Sequence, residues 1–225
     1  LRQLEKYEAD FGTVILMDVK TGQIKSIVNL KRTEQDMYAE ILNFAVARQI
    51  EPGSTMKLAS IMAYFEDYGG SVEDTIDCKN GKYRFQGAPI DTYDSKKLGL
   101  ASLKEVFAHS SNIGIGRLIY QYYDSDPDKF INRLYSFGLG QKSKIDLMGV
   151  PIPKLLSPKD KAWSRIALPW MSFGYGINFT ALDILTLYNT IANNGYLVYP
   201  YLGYALREGS ELRQISRDTI RHTIC

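Results

Sequence analysis

"EPGSTMKLAS", residues 51–60, decides the reading of this 225-residue chain. Ser54 and Lys57 stand three apart at the start of a run whose apolar residues (Met56, Leu58, Ala59, Ile61, Met62, Ala63, Phe65) mark a central helix, stopped by Gly69-Gly70. At that spacing a lysine rises one turn above a serine, with Cβ atoms roughly 5–6 Å apart. A serine hydroxyl is a weak nucleophile until a neighbouring base takes its proton, and a neutral lysine within hydrogen-bond reach can do so. Because an ordinary lysine titrates near pH ~10.4, working near neutrality asks for roughly 4 kcal/mol of desolvation, for which Met56, Leu58 and Ile61 are the available apolar neighbours. A helix N-terminus at Ser54 adds a positive dipole end and a backbone donor for an oxyanion. Taken alone, the pair is also ordinary helix grammar, a capping Ser followed by a solvated Lys.

Further along, Ser110-x-Asn112 falls in a polar break between two helical stretches. The first is opened by a capping box of Ser102 and Glu105, and the second is "IGIGRLIYQYY", residues 113–123. A second serine can relay a proton between Lys57 and a leaving amine, while an asparagine offers donors and an acceptor to a peptide-like substrate. The alternative is a loop whose Ser and Asn only cap the next helix.

Upstream, "TVILMDV" (13–19) and "IKSIVNL" (24–30) are apolar and rich in β-branched residues, and the break between them contains Lys20-Thr21-Gly22. That pattern predicts a β-hairpin with Gly22 at positive φ and Lys20 and Thr21 exposed in the turn. Residues 1–9 read as a short polar helix, and 71–100 as irregular with a small hairpin around "KYRF". Asp126-Pro127 opens a helix ended by Gly138, 139–170 reads as a proline-rich loop, and Thr180 caps a helix ended by Gly195. "YLVYP" (196–200) and "YLGYALREG" (201–209) read as strands.

Composition removes several function classes. With 27 Lys+Arg against 25 Asp+Glu and no basic block, nothing supports a nucleic-acid partner. Cys78 and Cys225 are too few and too distant for a disulfide framework or a zinc site, so free thiols are expected; His109 and His222 are too few for a histidine-based triad. No cofactor or metal is called for. No run of 18 apolar residues occurs, and the sequence, starting at Leu1, reads as an excised piece of a longer protein.

Together, "EPGSTMK", "SSN", "MSFGYGINFTALDILTLYNTIANNG" (171–195) and the opening "VILMDVKTGQIKSIVN" (14–29) resemble the transpeptidase domain of class B penicillin-binding proteins, the division type in particular. The resemblance covers nearly the whole chain, in order. It implies one α/β (α+β) domain over residues 1–225, of the penicillin-binding-protein and serine β-lactamase fold, with an antiparallel sheet packed with helices and a mainly helical lobe. It also implies Ser54 as acyl-forming nucleophile, Lys57 as proton acceptor, Ser110 as relay and Asn112 as substrate contact. The implied reaction is cross-linking of peptidoglycan stem peptides at D-Ala-D-Ala, with β-lactams acylating the same serine. The implied setting is the periplasmic face of the bacterial inner membrane, with an anchoring helix upstream and cell-division membrane proteins as partners. In that family the Lys-Thr-Gly motif lies on a strand after the other two, so Lys20-Thr21-Gly22 is read as the first hairpin's turn. No Lys-[Ser/Thr]-Gly follows Asn112, so the C-terminal strands are expected to be incomplete and the site to lack one wall. Two other readings stay open: a serine β-lactamase or β-lactam sensor, and a non-catalytic scaffold of the same fold.

Overall fold

In the computed structural model, residues 1–89, 91–203, 205–214, 221, 222 and 224 are described. Along the chain run α1 (Arg2–Lys6), β1 (Phe11–Met17), β2 (Ile24–Arg32), β3 (Tyr38–Ala39) and α2 (Phe44–Ala47). A 3₁₀ turn (Gly53–Met56) leads into α3 (Lys57–Tyr68), followed by β4 (Thr75–Asp77), β5 (Lys82–Tyr83), β6 (Thr92–Tyr93) and β7 (Leu100–Ser102). Then come α4 (Leu103–Ala108), α5 (Asn112–Tyr123), α6 (Pro127–Ser136), α7 (Ala167–Ser172) and α8 (Ala181–Ala192). Four short strands close the described chain: β8 (Tyr196–Leu197), β9 (Ala205–Glu208), β10 (Glu211–Gln214) and β11 (Arg221–His222). Tyr204 and Cys225 lie outside the described residues, so the strand expected across 201–209 and the Cys225 thiol are not described in full.

Two compact units emerge, the first from Leu1–Gln49, Gln141–Pro153 and Phe179–Cys225, the second from Ile50–Gly140 and Lys154–Asn178. In the first, β1 and β2 form the expected antiparallel hairpin, with Val14 opposite Val28 and a register slip between Leu16 and Met17, and β3 adds to the far edge of β2. Alternation, reset by that slip at Lys25, sends Ile15, Met17, Ile24 and Ile27 to one face, where they pack with Ala45, Val46, Ile145, Val150 and Leu182. The turn is built by Asp18. Its carboxylate accepts from the Thr21 N–H (2.9 Å) and hydroxyl (2.7 Å), which holds that carboxyl below the usual range. Gly22 has φ +76°, and a Cβ there would lie 2.7 Å from the Tyr199 carbonyl oxygen, so both conformation and space demand glycine. Lys20 is exposed, as the hairpin reading required. Helix α8 starts in a capping box, Thr180 with Asp183, and the Asn189 side chain donates to the Val19 carbonyl at 3.0 Å.

The second unit is mainly helical. Ile61 and Tyr64 of α3, Ile76 of β4, Ala101 of β7, Leu103 and Val106 of α4, and Ile115 and Leu118 of α5 make one buried cluster around Cys78, which is a free thiol. Residues 71–100 hold more order than the single small hairpin read from the sequence: β4 pairs β7, and β5 pairs β6 inside that pair. The proline-rich stretch 139–170 was expected to be loop throughout, yet its end enters α7. Pro169 is the third residue of that helix, in the first turn, where backbone donors have no intrahelical acceptor and a missing N–H costs nothing.

Candidate active site

All four residues singled out in the sequence lie in the second unit. Ser54 does not stand at the start of the α-helix itself, as expected, but in the 3₁₀ turn that precedes it, and α3 begins at Lys57. The difference strengthens the pairing. In 3₁₀ geometry, side chains at i and i+3 eclipse, so Ser54 and Lys57 share one face. Ser54 is exposed while Lys57 is only 1 % exposed, a hydroxyl at the surface beside a buried amine.

Ser110 connects them. Its Oγ donates to Ser54 Oγ at 2.9 Å and accepts from Lys57 Nζ at 2.9 Å, and the same ammonium donates to the Ser110 carbonyl in a short contact. The hydrogen-bonded chain therefore runs Ser54–Ser110–Lys57. Desolvation lowers the Lys57 pKa to about 8, with the negative charge of Asp94 pulling the other way. A lysine at that value is roughly one-tenth neutral at pH 7, against a negligible fraction for an ordinary one.

Why Ser110 occupies this point follows from how α4 ends. The Ser111 N–H bonds the Val106 carbonyl at 2.9 Å and the Ser110 N–H bonds the Phe107 carbonyl at 3.0 Å, the pair of closures that defines a Schellman end. That motif needs its closing residue in the left-handed region, where glycine is usual; Ser110 is there with φ +53°. Ser111 then caps α5, its hydroxyl accepting from the Gly114 N–H at 2.8 Å. Asn112 is the first residue of α5 and half-buried, so the expected interhelical loop shrinks to a tight corner.

Sequence reasoning missed the residues that hold these pieces. The Asp94 carboxylate accepts from the Ser111 hydroxyl, the Asn112 N–H (2.8 Å) and the Ile113 N–H (3.3 Å), at the positive end of α5. On the other side, residues 172–176 run along the Ser54 turn. The Gly53 N–H donates to the Gly174 carbonyl at 3.1 Å, the Gly176 N–H to Glu51 Oε1 at 2.8 Å, and the Ser60 hydroxyl to the Ser172 carbonyl at 2.6 Å. Gly174 has φ +92°, and a Cβ there would lie 2.0 Å from the Gly53 carbonyl oxygen. No periodicity or cap signal marks Asp94 or Glu51.

Two hydroxyls and an amine of lowered pKa in hydrogen-bond sequence form an arrangement with the groups that serine acyl transfer needs. Comparison with known proteins gives the class. Residues 12–223 match the family model described as the penicillin binding protein transpeptidase domain, and the chain belongs to that family. It is 29% identical over 197 residues to the peptidoglycan D,D-transpeptidase FtsI of Escherichia coli K12, an alignment covering 84% of this chain and 31% of that protein. The apo transpeptidase domain of Burkholderia pseudomallei penicillin-binding protein 3 has the same fold, with a TM-score of 0.76 and 25% identity over 96% of this chain and 60% of that one. Penicillin-binding protein 3 of Mycobacterium tuberculosis, solved in complex with ampicillin, superimposes with a TM-score of 0.81 at 24% identity, over 99% of this chain and 50% of that one. The chain spans about a third of the length of the curated relatives it matches. The α+β fold class expected from the sequence is thereby established.

Proposed function

We propose that this chain carries the acyl-transfer site of a peptidoglycan D,D-transpeptidase, that residues 1–225 belong to one transpeptidase domain, and that Ser54, Lys57 and Ser110 are its catalytic residues. The Ser54 hydroxyl attacks the carbonyl between the two terminal D-Ala residues of a stem peptide. Its proton passes through Ser110 to neutral Lys57, and the Ser54 N–H, in the first turn where donors lack intrahelical acceptors, faces the developing oxyanion. Collapse of the tetrahedral adduct breaks the peptide bond, the proton returns through Ser110 to the leaving D-Ala amine, and an acyl ester remains on Ser54. An amine of a neighbouring strand then attacks the ester carbonyl, the same chain of groups takes its proton, and that proton returns to Ser54 Oγ as the ester bond breaks and the acyl group passes to the amine. Asn112 holds the stem-peptide backbone.

β-Lactams fit the same steps with one difference, since their leaving group stays tethered and the ester persists. The observation that carries this reading is the unbroken Ser54–Ser110–Lys57 chain ending on an amine lowered to about 8 by burial. The relatives' names support the substrate class. The setting that goes with it is the periplasmic face of the inner membrane, with division proteins as partners; among the described residues no helix is long and apolar enough to cross a membrane.

Labelling with a fluorescent penicillin and timing its release tests the reading. Label should appear on the wild type and persist for many minutes, and Lys57→Arg, which keeps the charge but cannot be deprotonated, should show none. Rapid release would make the protein a β-lactamase, absence of label would make it a scaffold, and full labelling of Lys57→Arg would remove Lys57 from the chemistry.

A further inference from the structure

Ser110 sits in the left-handed backbone conformation, which is strained for a non-glycine residue, and such a residue stays put only when its surroundings over-determine it. The Schellman closures fix it from the α4 side. From the α5 side, the anchor is Asp94. Its backbone N–H is tied to the Gly81 carbonyl at 3.0 Å, at the end of the β5–β6 pair, so the carboxylate is presented from a fixed point. It then gathers three consecutive donors, the Ser111 hydroxyl and the N–H groups of Asn112 and Ile113. Those are the residues that follow Ser110 in the chain, so Asp94 fixes both the relay serine and the direction in which Asn112 leaves the corner.

Asp94 also acts at a distance. Helices α4, α5, α6 and α7 pack on α3, and they bring Lys104, Glu105, Arg117, Asp128, Lys129 and Arg133; the negative charge of Asp94 raises the Lys57 pKa against the larger effect of desolvation. We propose that Asp94 is a positioning residue whose hydrogen bonds hold the Ser110–Asn112 corner in register with Ser54. Its negative charge, which works against the desolvation of Lys57, is a second and separable effect. This rests on the acyl-transfer reading above.

The two effects leave different marks on a pH profile. Acylation requires neutral Lys57, so its rate rises with pH to a plateau; the midpoint reports the lysine, and the plateau reports the geometry. Asp94→Asn removes the charge and one acceptor. Its midpoint should move toward acid by on the order of one pH unit, and its plateau should fall about 10- to 100-fold. Asp94→Glu keeps the charge but displaces it by one methylene, so its plateau should fall with the midpoint unmoved. A residue that merely supported the fold would move no midpoint.

The experiment is penicillin acylation of the wild type and both variants between pH 6 and 10, with the Lys57 titration followed separately through its ¹³Cε chemical shift. If Asp94→Asn does not fold, Ser111→Ala replaces it, and its plateau should fall with the midpoint in place. An unchanged midpoint in Asp94→Asn, or an unchanged plateau in Asp94→Asn or Ser111→Ala, overturns the proposal. A wild type that is never acylated sinks the acyl-transfer reading instead, and the ¹³C titration still decides whether the Asp94 charge holds Lys57.

Discussion

Ser110 Oγ lies 2.9 Å from Lys57 Nζ, and it reaches that point from the residue that closes α4 in the left-handed conformation. Function and local stability are therefore opposed at one position. Glycine would suit the backbone better but would remove the hydroxyl. Ser110→Gly is expected to be more stable than Ser110→Ala by about 1 kcal/mol, because alanine keeps the strain while both lose the same hydrogen bonds. Both should acylate at least about 10²-fold more slowly than wild type. Urea unfolding and penicillin labelling of the two variants check this, and equal stabilities would mean that Ser110 is not strained.

Lys57 carries a stability cost of its own. Its folded pKa of about 8 lies below the ordinary 10.5, so the folded state binds the proton more weakly than the unfolded chain. The cost is fully present below pH 8 and is relieved as pH rises toward 10.5, where neither state holds the proton. Lys57→Met, of similar length, should raise stability at pH 7 by up to about 3 kcal/mol while abolishing acylation. Denaturation at pH 7 and pH 10 gives the check: the advantage should shrink at the higher pH.

In the hairpin turn the prediction separates neighbours. Lys20 is exposed, and Lys20→Ala should alter stability by no more than about 0.5 kcal/mol and leave acylation untouched. Asp18→Ala removes the acceptor of two Thr21 hydrogen bonds and should cost about 1 kcal/mol. A strong loss of acylation in Lys20→Ala, with the fold intact, would return the first Lys-Thr-Gly to the chemistry.

How much of this was legible in the sequence depended on how local the cause was. The β1–β2 hairpin, the α4 capping box, the Thr180 cap of α8, Pro127 at the start of α6 and the face of α3 were readable because each signal sits within a few residues of its effect. Helix α7 was not, since the proline that usually argues against a helix falls in its tolerant first turn. Pairing of β4 with β7 joins two three-residue strands far apart in the chain, and nothing local announces it. Ser54, Lys57, Ser110 and Asn112 were singled out from spacing and resemblance, and the structure joins the first three by hydrogen bonds. Asp94 and Glu51 could not be singled out, because each matters only through donors that the fold brings to it.

The clasp beside the Ser54 turn gives a fourth prediction. A methyl group on Gly174 would collide with the Gly53 carbonyl oxygen, and φ +92° already disfavours any side chain there. Gly174→Ala is expected to cost more than about 1 kcal/mol and to slow acylation by displacing the Ser54 turn. Thermal unfolding with labelling kinetics checks it; a variant with wild-type values for both would show that the turn is not held from this side.

The central claim is that Ser54 is the nucleophile and takes its activation through Ser110 from Lys57. The most direct measurement is mass spectrometry of the protein after reaction with benzylpenicillin, followed by peptide mapping of the adduct. The expected result is one intact drug mass per chain, on the peptide containing Ser54, absent from Ser54→Ala and Lys57→Arg. An adduct on any other residue, or one that survives in Ser54→Ala, would contradict the account.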